Sequence, residues 1–113
     1  AFWINTALED NNFIDLDGSA YITSTAGTIT PTGFISPTIY VNGKEDSSFS
    51  TGSWQHLVIK TDTAITAADL DLGRIEGVGS FTGQMDEVKI WNYALTAEQI
   101  RMEYNQARLR FGE

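Results

Sequence analysis

The chain has 113 residues, 42% hydrophobic and 19% charged, which is the composition of one folded domain and not of a disordered chain. A formal charge of −8 argues against nucleic acid, because DNA and RNA binders need clustered Lys and Arg to displace counterions. No stretch approaches the ~18 consecutive apolar residues of a membrane span, so no membrane insertion is expected, and the absence of cysteine removes disulfides and thiolate chemistry.

In chain order, short apolar or alternating runs separated by Gly, Asn, Asp, Ser and Thr predict an all-β domain. The expected strands are Phe2 to Thr6, Phe13 to Leu16, Ala20 to Thr23, Thr28 to Phe34 and Thr38 to Val41. They continue with Trp54 to Thr61, Leu70 to Ile75 and Met85 to Trp91. Asp17-Gly18 and Asn42-Gly43 are hairpin signals, since both turn positions tolerate positive φ. The one helix expected lies at about 97–108. Thr96 and Gln99 fit a capping box, Leu95 and Ile100 a hydrophobic staple, and Ile100, Tyr104 and Ala107 form an apolar stripe. Residues 109–113 read as a tail, and the whole of 1–113 as a single domain. Arg101, Arg108 and Arg110 near that end read as a solvated helix face complementing the dipole.

The second half carries an ordered set of landmarks. Tyr40-Val41-Asn42-Gly43 is followed by Trp54-Gln55-His56-Leu57-Val58 and Leu72-Gly73-Arg74. Then comes Gly83-Gln84-Met85-Asp86-Glu87-Val88-Lys89-Ile90-Trp91-Asn92-Tyr93-Ala94-Leu95-Thr96, leading into the helix. This set resembles the laminin-G-like, concanavalin A-like lectin/glucanase domains of large bacterial surface proteins. The resemblance implies an antiparallel jelly-roll β-sandwich with one short C-terminal α-helix, in an extracellular or cell-surface protein. Phe2-Trp3-Ile4 resembles an inner strand that such domains place after one or two opening strands. The expectation is therefore an open sheet edge or partly exposed core, in a minimal variant of the domain, in one paired as an edge-strand dimer, or in one completed by another segment.

Asp86 shares strand parity with Val88 and Ile90, which puts it on the core side of the Met85 to Trp91 run. A carboxylate there must accept backbone N–H groups or hold a cation. The resemblance adds Ca²⁺ as that cation, with Asp15, Asp17, Asp62, Asp69 and Asp71 as further ligands; each also fits an ordinary outward carboxylate. No cofactor is required. Asp86 and Glu87 are adjacent, so a strand sends them to opposite faces and denies them the paired-carboxylate geometry of glycoside hydrolysis. His56, the single histidine, reads as a packed structural residue. Trp91, Tyr21 and Tyr40 are the aromatic candidates for stacking a sugar ring, and loops 24–37 and 76–82 for a ligand surface. The function expected is non-catalytic carbohydrate binding or adhesion, with a glycan or another surface protein as partner. The alternative is a structural or protein-interaction module that binds no sugar.

Overall fold

The computed structural model describes residues 1–112. Their strands are β1 Phe2–Asn5, β2 Asn11–Asp15, β3 Tyr21–Thr25, β4 Thr28–Thr32, β5 Thr38–Val41 and β6 Lys44–Glu45. They are followed by β7 Gln55–Lys60, β8 Asp71–Leu72, β9 Arg74–Ile75, β10 Gly79–Ser80, β11 Gln84–Asp86 and helix α1 Ala97–Ala107. One antiparallel sheet runs β11-β1-β7-β5-β6, a second runs β4-β3-β2-β8, and β9 with β10 forms a separate ribbon. The two sheets face each other across Phe2, Ile4, Phe13, Ile14, Ile22, Val41 and Leu57, all buried.

The larger sheet is buried on both faces, which is why Phe2-Trp3-Ile4 and Ile39-Tyr40-Val41 are apolar without alternation. Phe2, Ile4, Val41 and Leu57 point into the sandwich. Tyr40 and Val58 turn the other way and pack with Leu95 and Ile100 beneath α1. Trp3, 1% exposed, stacks on Tyr104 and Phe111 at centroid distances of 5.7 and 4.4 Å. The smaller sheet has one wet face, and β3 and β4 alternate buried with more exposed residues accordingly.

The helix begins at its capping box. Thr96 Oγ1 accepts from Gln99 N–H, and Gln99 Oε1 accepts from Thr96 N–H, so two otherwise orphaned donors are satisfied. Phe111 of the expected tail packs on Trp3 and Trp54, while Glu113 lies outside the described residues. Asn42 and Gly43 have φ of 52° and 81° and close the β5–β6 hairpin; Ala26 and Gly27 do the same between β3 and β4.

Three expected strands are shortened or split, each for a backbone reason. The Leu70 to Ile75 run divides into β8 and β9 at Gly73, which has φ +72°. The Thr28 to Phe34 run ends at Thr32, because Gly33 passes so close to Ser19 that a Cβ would sit 2.4 Å from its carbonyl oxygen. The Met85 to Trp91 run stops at Asp86, because Glu87 takes φ +50° and breaks the alternation. That break overturns the parity assigned to Asp86, which is exposed on the edge strand β11; its Oδ1 accepts from Glu87 N–H, next to it in the chain. Among the described residues the buried carboxylate is Asp15, 1% exposed.

Candidate functional site

Asp15 is the centre of an acidic cluster on the smaller sheet. It pairs across strands with Tyr21 on β3 and Asp71 on β8, so the three lie in one row. Asp15 Oδ1 accepts from Gly18 N–H at 2.6 Å and Oδ2 from Glu76 N–H at 3.1 Å. The second bond brings Glu76 into the group, and one carboxylate oxygen each of Asp15, Asp71 and Glu76 lies within 4.8 Å of the others. Carboxylates directly opposite on neighbouring strands repel, and the nearest compensating charge is Arg74, 4.0 Å from Asp71. Of the acids expected to ligate a cation, the fold gathers only Asp15 and Asp71 here. Asp17 lies in the adjoining turn, where Ala20 and Ser19 N–H groups hold its carboxyl below the usual range. Asp69 N–H donates to Leu16 carbonyl, and Asp86 belongs to the other sheet. Glu76 carried no spacing signal; a turn after β9 delivers it.

The donor set is hard carboxylate oxygen, which suits Ca²⁺. Asp15, Asp71 and Glu76 would hold such an ion, and its charge would offset the repulsion between the paired aspartates. Each Asp15 oxygen already accepts one backbone N–H and keeps a second lone pair for it.

A second feature is a shallow cleft of about 150 Å³ between residues 91–95 and the outer face of α1. Trp91 and Tyr93 supply aromatic surface, and Gln99, Glu103 and Gln106 supply amide and carboxylate groups. Tyr93 is 58% exposed. Glu103 is fixed by Lys89 at 2.9 Å, and Gln99 by its capping bond. Trp91 is thus brought to an open cleft. Tyr21 is half-buried beside the acidic cluster, and Tyr40 is buried under α1 and offers no face to a ligand. Of the expected ligand loops, 76–82 carries Glu76 and reaches the acidic cluster, while 24–37 is largely the β3–β4 hairpin.

The third feature is a groove of about 410 Å³ where the sandwich opens between its sheets at the start of β1, bordered by residues 60–67 and 89–95. On the other side of the larger sheet His56, 2% exposed, lies among Trp3 and Tyr104, and its Nδ1 has no hydrogen-bond partner among the described residues. Burial, then the Ala1 ammonium and Lys89, push its pKa down to about 4.

No helix among the described residues is long and apolar enough to cross a membrane. No curated protein and no solved structure gives a match to the chain. Residues 23–101, more than half of the chain, match the family model described as the concanavalin A-like lectin/glucanases superfamily, laminin-G type. With two antiparallel sheets packed face to face and one C-terminal helix, the chain belongs to that superfamily.

Proposed function

We propose that this domain is a non-catalytic, glycan-binding adhesion module of an extracellular or cell-surface protein, and that the cleft beside α1 is its sugar site. The observation that carries this is the meeting of Trp91 and Tyr93 with Gln99, Glu103 and Gln106 in one open cleft. Pyranose C–H faces stack on aromatic rings, while amides and carboxylates take the hydroxyls. The acids adjacent in sequence support a role without catalysis: Glu87 pairs with Arg110, and Asp86 faces solvent on an edge strand.

A glycan array probed with the wild-type domain and with Tyr93→Ala tests the reading. Tyr93 is largely exposed, so its loss should leave the fold intact while weakening the array hits roughly tenfold, or ~1.4 kcal/mol. An array without hits, in EDTA and in Ca²⁺ alike, would remove the glycan reading.

Ca²⁺ at Asp15, Asp71 and Glu76 is the cation we propose for this module. Thermal unfolding in millimolar Ca²⁺ should lie several degrees above that in EDTA, since a ligand at 100 times its Kd adds ~2.7 kcal/mol. Asp71→Asn should abolish the shift. In EDTA it should be neutral or stabilising, because it removes the like charge opposite Asp15. Equal melting in both buffers would sink the cation site.

A further inference from the structure

The cleft beside α1 has a fixed hydrogen-bonding sense. Gln99, Met102, Glu103 and Gln106 stand at helical spacing on one face of α1 and border it with Trp91 and Tyr93. Thr96 N–H donates to Gln99 Oε1 at 2.9 Å, which fixes the orientation of that amide. What Gln99 can still offer a ligand is its Nε2, a donor. Lys89 Nζ donates to Glu103 Oε2 at 2.9 Å, and the other oxygen of that carboxylate can only accept. A donor and an acceptor, each held from outside the cleft, therefore lie one helical turn apart.

A sugar hydroxyl has no use for such polarity, because it donates or accepts as its surroundings require. A secondary amide does, because its N–H only donates and its C=O only accepts. Charge narrows the ligand further. Glu103 is the one charged side chain lining the cleft among the described residues, and the Lys89 ammonium is already paired with it. A uronate, sialate or sulfate group would meet a like charge there without a cation to receive it. Between Gln99 and Glu103 in sequence comes Met102, 52% exposed, while the residues the helix buries are Ile100 and Ala107. Its thioether gives the polar row one apolar, adaptable contact that suits a methyl group.

We propose that this cleft selects a 2-acetamido sugar, with its pyranose ring on Trp91 and Tyr93. The acetamido N–H donates to Glu103, its carbonyl accepts from Gln99, and its methyl packs on Met102. Gln106, exposed at the far end of the row, takes a ring hydroxyl with either end of its amide. The selection rests on the glycan reading and adds to it the chemical class of the sugar and the residues that choose it.

The probes are the methyl glycosides of N-acetylglucosamine, glucose and glucuronic acid. Each is titrated into the domain while the Met102 methyl and α1 amide signals are followed by NMR. The N-acetylglucosaminide is expected to bind roughly tenfold more tightly than the glucoside, and the glucuronide more weakly than either. Gln99→Glu replaces the fixed donor with an acceptor. Glutamate at this position completes the same capping box, so the melting temperature should hold. In that variant the N-acetylglucosaminide should lose its roughly tenfold advantage. Equal affinities of the two neutral glycosides for wild type, or tightest binding of the glucuronide, would overturn the selection and leave the glycan reading standing. So would an advantage that survives Gln99→Glu. Binding of none of the three at the highest soluble concentrations would remove the glycan reading and the selection with it.

Discussion

Lowering the pH from 7 to 4 is expected to remove about 3 kcal/mol of folding stability through His56 alone. Burial holds its folded-state pKa at about 4, against an ordinary value of 6.5, with the Ala1 ammonium and Lys89 adding repulsion. Between those two values the unfolded chain binds the proton and the folded chain refuses it. The contribution is therefore complete above pH 6.5 and is lost as pH falls toward 4. At this chain length the loss corresponds to a melting-temperature drop on the order of 10 °C or more. Asp17 titrates below this window, because backbone N–H groups of Ala20 and Ser19 depress its pKa. The Ala1 amine, pushed down by burial to about 5, adds its own slope at higher pH, so the measurement must be a difference. Urea melts of wild type and His56→Phe from pH 4 to 8 supply it. The phenylalanine keeps the ring packing and removes the titration. The two stability curves should diverge below pH 6.5, and parallel curves would show that His56 gains its proton without unfolding.

Trp3→Ala is expected to cost about 3–5 kcal/mol, the range for emptying a large buried aromatic site. Its indole is 1% exposed, pairs through β1 with His56, and carries the stack of Tyr104 and Phe111 that seats the helix. Truncation opens a cavity between the outer face of the larger sheet and α1, so helix docking and near-UV aromatic signal should weaken together. Trp54 is the internal comparison. It is half-buried and, among the described residues, its one ring contact is Phe111, so Trp54→Ala should cost about 1 kcal/mol. Chemical denaturation of both variants checks the ranking. Equal midpoints would mean that the helix is held by Ile100, Leu95 and Tyr40 without help from the indole.

The sequence by itself determined the fold class, the hairpin turns at Asp17-Gly18 and Asn42-Gly43, and the start of the helix. These are local signals: positive φ is tolerated by few residue types, and a capping box lies within one turn. Its ordered landmarks also carried the superfamily. Strand ends were legible only where a turn residue marked them. The break at Glu87 was hidden, because a non-glycine residue at φ +50° leaves no trace in a run of alternating side chains. Once it is in place, parity beyond it loses meaning, and the buried acid proves to be Asp15 instead of Asp86. The site residues were likewise split between the two levels. Asp15 and Asp71 were visible as acids near strand ends, but their pairing opposite one another is a matter of register, and Glu76 joins them through one long-range backbone bond. Trp91 was legible as a partly exposed aromatic, and it packs half-buried against the cluster of Tyr40, Leu95 and Ile100. Gln99, Glu103 and Gln106 became its neighbours only when α1 folded back across the sheet. Burial of Tyr40 was decided the same way, since a helix covering the second face of a sheet makes an outward-pointing residue part of a core, whereas His56 already read as packed. Such contacts join residues far apart in the chain, and no local pattern specifies which distant surfaces meet.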